Sequence, residues 1–207
     1  MRPKESFFIA IEGPDFSGKN TQQDPLCEWL RKRGYDVIST REPGGTPLGE
    51  EIRHVVLRTE SEMCAKTELF LFMASRAQLV EEVLNPALKA GKIVVTSRYF
   101  LSSFAYQGFA RGLSVSELVR IAMFATDYLV PDLTILIDLD TVTSLSRCSK
   151  KTADRIERKE IAFHKRVRYG FLELAKDSRW KVRVVDGRKP IQELHSDITA
   201  ILEEALP

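Results

Sequence analysis

Phe7-Phe8-Ile9-Ala10-Ile11-Glu12-Gly13-Pro14-Asp15-Phe16-Ser17-Gly18-Lys19-Asn20 decides the fold. Five apolar residues of strand length run into Gly-x-x-x-x-Gly-Lys, and a helical pattern follows. A strand that ends in such a loop and restarts as a helix aims successive backbone N–H groups at one point, which suits a polyphosphate. Lys19 adds a mobile positive charge. Asn20 stands where Ser or Thr normally completes the motif and ligates Mg²⁺, so nucleotide binding is announced more firmly than turnover.

Outward from this loop, strand-length apolar runs recur at 36–40, 92–96, 133–139 and 181–185. Helically spaced segments separate them, at 21–33, 47–57, 67–90, 101–108, 114–128, 141–149, 157–174 and 191–206. The alternation predicts a three-layer α/β fold, a five-stranded parallel sheet with helices on both faces. A chain of 207 residues, 43% hydrophobic and 29% charged, has ordinary globular composition and is expected to form one domain spanning 1–207. A net charge of +2 gives no electrostatic basis for nucleic-acid binding. No apolar stretch approaches the ~18 residues that a membrane span needs. Cys27, Cys64 and Cys148 have neither metal-ligand nor disulfide spacing, which fits a reducing cytoplasm.

Ligands of open parallel sheets gather at the carboxyl ends of the strands. Arg41, in Arg41-Glu42-Pro43-Gly44-Gly45-Thr46, follows the second strand, and its guanidinium fork suits a phosphate monoester. The third strand ends in Ser97-Arg98-Tyr99 and leads into Ser102-Ser103-Phe104-Ala105-Tyr106-Gln107-Gly108, a group of hydroxyls, a cation and an amide. Phe72 and Arg76 lie four apart on one helix, placed to sandwich and hydrogen-bond a nucleobase, although Leu69, Phe72 and Leu79 read equally well as a core stripe. Residues 147–158 are basic and poor in large apolar groups, which predicts a mobile lid that brings cations over a transferring phosphoryl group. His54, His164 and His195 are isolated from these clusters and read as surface or structural residues.

Together the motifs resemble the thymidylate kinase family of P-loop nucleoside monophosphate kinases, from Phe7 to about Leu174. They are Ile11-Glu12-Gly13 with Asp15 and Gly18-Lys19, the Arg41 to Thr46 segment, Phe72-Met73-Ala74-Ser75-Arg76, Arg98-Tyr99 with Ser102, Ala105-Tyr106-Gln107-Gly108, Pro131-Asp132-Leu133 and Asp154-Arg155-Ile156-Glu157. The resemblance implies ATP-dependent phosphorylation of dTMP to dTDP with Mg²⁺, and a homodimer. It assigns ATP to Gly13, Pro14, Asp15, Phe16, Ser17, Gly18, Lys19, Asn20 and Thr21, with Arg147 near adenine. Asp15 is implied to accept from the acceptor's 3′-hydroxyl, and Arg41 and Arg98 to grip its 5′-phosphate. Phe72 would stack on thymine, Arg76 reach a ring oxygen, and Tyr106 pack near C2′, with Ser102, Ser103 and Gln107 as further polar groups. Lys19, Asp15, Arg98 and Arg155 form the implied catalytic set. Phe16 in the loop, with Lys150, Lys151 and Arg155 in the lid, resembles the subtype that supplies its basic residues from the lid.

Two positions depart from the family pattern, and both touch the metal. Asn20 replaces Ser or Thr, and Ser97 replaces an Asp, so the expected Mg²⁺ contacts are a carbonyl oxygen and a hydroxyl acting through water. The departures keep a second reading open, a nucleotide-binding homologue with weak or no kinase activity. A kinase for another monophosphate such as dUMP is the nearest alternative within the class.

Overall fold

In a computed structural model, which describes residues 3, 5–58, 62–148 and 153–207, strands and helices alternate as the spacing predicts. Strand β1 (Phe7–Glu12) leads to α1 (Lys19–Lys32), β2 (Val37–Arg41) to α2 (Pro47–Arg58) and α3 (Ala65–Leu79). A π-helical turn (Val80–Leu84) and α4 (Asn85–Lys89) precede β3 (Ile93–Ser97); α5 (Phe100–Ser103) runs into a π-helix (Phe104–Ala110) and then α6 (Val115–Ala125). Strand β4 (Leu133–Asp138), α7 (Thr141–Ser146), α8 (Ile161–Leu174), β5 (Val182–Asp186) and α9 (Ile191–Ala205) follow. All pairings are parallel, in the order β2-β3-β1-β4-β5, so β1 and its loop sit at the centre.

Side chains alternate along each strand, and the two faces bury separate cores. Phe8, Ala10, Val94 and Leu136 pack against residues of α3, α5, α6 and α8 such as Leu79, Phe100, Leu118 and Phe171. Ile9, Ile11, Val95, Ile135 and Ile137 pack against Leu26 and Leu30 of α1 and Leu194, Ile198 and Leu202 of α9. Burial on both faces explains why the inner strands read as continuous apolar runs.

Local chemistry moved several expected boundaries. Helix α1 begins at Lys19, because Gly18 at φ 100° lets the loop turn directly into the helix. The segment expected as one helix over 67–90 starts at Ala65, where Cys64 Sγ accepts from Thr67 N at 3.4 Å. It widens into the π-helical turn just before Pro86, which has no N–H for the helical ladder. Helix α8 starts at Ile161, four residues late. Asp154 Oδ1 accepts from Ile156 N and Glu157 N, and Glu157 Oε2 accepts from Asp154 N at 2.9 Å, so 154–157 closes into a turn of its own.

Candidate functional site

The loop between β1 and α1 passes so close to β4 that a Cβ at Gly13, where φ is 146°, would lie 2.5 Å from Ile137 O. Only glycine fits there. Lys19 folds under the loop, its Nζ donating to Gly13 O at 2.9 Å and Pro14 O at 2.5 Å. Burial first, and the nearby Arg98 second, lower its pKa to about 7 against the pull of Asp15 and Glu12. Beside it, Ser97 Oγ donates to Asn20 Oδ1 at 2.9 Å. The two positions that depart from the family pattern are therefore in direct contact. A carbonyl oxygen and a hydroxyl at the cleft wall are hard oxygen donors of the type Mg²⁺ takes. Among the described residues no group of three His, Cys, Asp or Glu is arranged to hold a metal.

Arg98, in the left-handed region at φ 69°, projects from the end of β3 toward the same loop. It forms an ion pair with Asp15 and donates to Ser102 Oγ at 3.1 Å; Tyr106 OH donates to the other Asp15 oxygen at 2.7 Å. Burial works against an ionised Asp15, but Arg98, then Lys19, outweigh it and hold the carboxyl below its ordinary pKa. Glu12, fully buried, accepts from Tyr99 N, Ser102 N and Ser102 Oγ, and so fixes the turn that carries Arg98. Burial raises its pKa, with Ser102 the leading opposition.

Further along the cleft, Arg41 is half-exposed and donates to both Glu50 oxygens at 3.1 Å. Arg53 of α2 donates to Pro43 O at 2.9 Å and faces the same space. Arg76 is 1% exposed, with Nε and Nη2 committed to Glu42, Tyr99 O and Ser103 Oγ, while Nη1 meets the soft Met73 sulfur at 3.4 Å. Phe72 lies one turn before it. Gln107 Nε2 donates to Glu68 Oε1 at 2.9 Å. At the opposite end Arg147 donates to Phe16 O at 3.3 Å and Gly187 O at 3.4 Å, next to Arg188 and Lys189. One cavity of about 820 Å³ runs from Arg147 past the Gly13 to Lys19 loop to Phe72 and Gln107.

A sequence profile of the family described as thymidylate kinase matches residues 11–198. The chain is 46% identical to the thymidylate kinase of Deinococcus radiodurans over 201 residues, 97% of this chain and 98% of that one. It is 45% identical to that of Carboxydothermus hydrogenoformans over 197 residues, 95% and 96% of the two chains. Among solved structures, thymidylate kinase from Ehrlichia chaffeensis superposes with a TM-score of 0.77 at 31% identity, covering 95% of this chain and 98% of that one. The chain belongs to the thymidylate kinase family.

Within this thymidylate kinase fold the cleft brings together Asp15, Phe16, Ser17, Gly18, Lys19, Asn20, Thr21, Arg41, Phe72, Arg76, Ser97, Arg98, Ser102, Ser103, Tyr106, Gln107 and Arg147, all expected from the sequence. Gly13 shapes the loop from beneath, beside Pro14. Arg155 is the correction. Its Nη2 donates to Glu68 Oε2 at 2.6 Å and its Nε to Val56 O at 3.0 Å, so it clasps α2 and α3 instead of reaching the loop. Asp154, Ile156 and Glu157 of the same turn face the cleft in its place. With Ala153 and Ile156 buried, that end of the expected mobile lid is packed against the body; Lys150 and Lys151 lie outside the described residues. Ser102 is a second adjustment, since its hydroxyl donates to Glu12 and accepts from Arg98 and so positions a cation. His164 is not isolated: it is buried, and after Arg98, Lys19 and Tyr106 it too helps keep Asp15 ionised. Arg53 went unnoticed in the sequence. Its spacing of four from Leu57, which shares the cleft wall, was the available signal.

Proposed function

We propose that the chain transfers the γ-phosphoryl group of ATP to dTMP, giving dTDP and ADP. The single observation that carries this reading is the continuity of the cleft: cations flank the phosphate loop on both sides, so two nucleotides can meet end to end over Lys19. An oxygen of the acceptor phosphate forms a bond to the γ-phosphorus as the bond to the ADP oxygen breaks. That phosphate is largely ionised at neutral pH, so no general base is required, and catalysis is positioning plus neutralisation of charge. Lys19, the loop amides and Arg147 serve ATP. Arg41, Arg53 and Arg98 serve the 5′-phosphate, Asp15 and Tyr106 the deoxyribose, and Phe72, Arg76, Ser103 and Gln107 the base. When bound, Mg²⁺ neutralises charge on the donor phosphates; Asn20 Oδ1 and Ser97 Oγ would hold it. A coupled ADP-release assay over a panel of nucleoside monophosphates tests the reading. Turnover highest with dTMP is expected; binding of both nucleotides without turnover, or preference for dUMP, overturns it.

Ser97→Asp adds a carboxylate to this pair. It is expected to tighten Mn²⁺ binding to the ATP complex about tenfold, read by electron paramagnetic resonance, and to lower the Mg²⁺ needed for half-maximal rate. An unchanged affinity would mean that other groups hold the metal.

At pH 8 the nucleotide-free Lys19, with its pKa of about 7, is mostly neutral. A polyphosphate beside it restores the charged form, so ATP binding is expected to take up about one proton there and progressively less toward pH 6. Calorimetry in buffers of different ionisation enthalpy measures this directly, and proton release at pH 8 would refute it.

One domain, a cytoplasmic location and a homodimer complete the proposal. For the dimer, Phe70 of α3 is 57% exposed and Phe124 of α6 83%, and these helices pack together. Sedimentation at a mass of one chain would exclude it. No helix among the described residues is long and apolar enough to cross a membrane.

A further inference from the structure

Glu68 of α3 is 1% exposed and is not among the residues that line the cleft, yet its two oxygens gather three side chains, one from the 154–157 turn and two from the π-helix and its C-terminal cap. Oε2 takes Arg155 Nη2 at 2.6 Å; Oε1 takes Gln107 Nε2 at 2.9 Å, with Arg111 Nε at 3.6 Å. Gln107 is equally buried and is the one of the three that lines the cleft.

The chemistry of this contact is one-sided. A carboxylate offers acceptors only, whereas a carboxamide has a donor end and an acceptor end. Gln107 can therefore meet Glu68 only through Nε2, which leaves the carbonyl end, Oε1, to the cleft. Arg76 supplies a donor in the same wall, because Nε and Nη2 are committed and Nη1, among the described residues, has only the Met73 sulfur. A donor beside an acceptor complements a ring carbonyl next to a ring N–H. It opposes the edge of cytosine, where an amino group sits next to a bare ring nitrogen.

We propose that Glu68 is a positioning residue for acceptor specificity, acting through Gln107: it locks the amide with its oxygen toward the base and so makes the cleft reject a cytosine monophosphate. The proposal rests on dTMP being the acceptor. Arg155 shares the same carboxylate, which ties the 153–158 segment to the wall that reads the base.

The test is a cycle of Glu68→Gln, Gln107→Leu and the double variant, with kcat and KM measured for dTMP and dCMP at saturating ATP. A carboxamide at 68 can accept or donate, which frees Gln107 to turn over. Glu68→Gln is expected to raise the KM for dTMP about tenfold with kcat changed much less, and to cut the dTMP to dCMP ratio of kcat/KM at least tenfold. In the Gln107→Leu background the same change should leave that ratio unmoved. An equal change in both backgrounds marks a merely structural role and overturns the proposal. A measurement on the wild-type chain stands if Glu68→Gln does not fold. On adding dTMP, the Gln107 side-chain amide protons should keep their NMR shifts while its carbonyl carbon moves; moving protons with a still carbon overturn the assignment. A wild-type chain that does not phosphorylate dTMP refutes the acceptor reading, and the proposal with it; turnover of dTMP with an additive cycle refutes only Glu68.

Discussion

Lys19→Met is expected to reduce kcat about a thousandfold in the coupled ADP-release assay, without unfolding the protein. Methionine approximates the length and volume of lysine but removes the amine that lies beneath the phosphate loop. Negative charge on a transferring phosphoryl group must be matched by groups already in place. A thousandfold loss corresponds to about 4 kcal/mol of transition-state stabilisation. The stability profile provides an independent check. In the folded chain Lys19 has a pKa of about 7, below the ordinary lysine value, because it is buried and faces Arg98. Between pH 7 and the ordinary value near 10.4 the unfolded chain then binds more protons at this position than the folded one, so stability contributed here rises with pH. Wild type should gain melting temperature from pH 7 to pH 9 relative to Lys19→Met. A kcat within tenfold of wild type would remove Lys19 from the catalytic role.

Arg98→Gln is expected to lower kcat/KM for dTMP by about a thousandfold, through both constants, and to leave the KM for ATP nearly unchanged. Arg98 and Asp15 form a pair that is 20% and 11% exposed, closed enough from water for loss of one partner to strand the other. Removing one member of such a pair typically costs about 3–5 kcal/mol. Asp15 would retain Tyr106 and Lys19, and its pKa should climb toward the usual carboxylate range. The sign follows from the depressed value: the pair stabilises the fold above the unfolded carboxyl's pKa, and that contribution fades as pH falls through the folded one. The variant should therefore lose melting temperature at pH 7 and lose little near pH 2. Equal losses at both pH values would contradict the ion-pair account.

Much of this was legible because local patterns carry it. The Gly13 to Lys19 loop, the alternation of apolar runs with helical spacing, and the polar groups at the strand ends all act over a few residues. What spacing cannot reveal is a partner far along the chain. The resemblance and the basic 147–158 segment implied that Arg155 reaches the phosphates; its partner Glu68 lies 87 positions earlier. Arg76 was placed correctly in the cleft, but its tether to Glu42 spans 34 positions. Asn20 and Ser97 read as paired departures at one metal position, but their direct contact at 2.9 Å depends on the sheet, which sets Ile11 opposite Ser97. Glu12 is likewise engaged by partners far along the chain, Tyr99 N and Ser102.

Asp15 belongs to the loop proposed to hold ATP and is held by Arg98 and Tyr106, which are proposed to serve the acceptor. Its carboxylate has no oxygen left over: a sugar hydroxyl must share or displace one of those two partners. In the proposed complex, a shift of the loop around ATP would reach the acceptor half through Asp15 and through Arg98, whose Nη1 also donates to Gly13 O at 3.4 Å. With both nucleotides seated as proposed, linkage requires strict reciprocity: whatever factor ATP applies to the dissociation constant of dTMP, dTMP must apply to that of ATP.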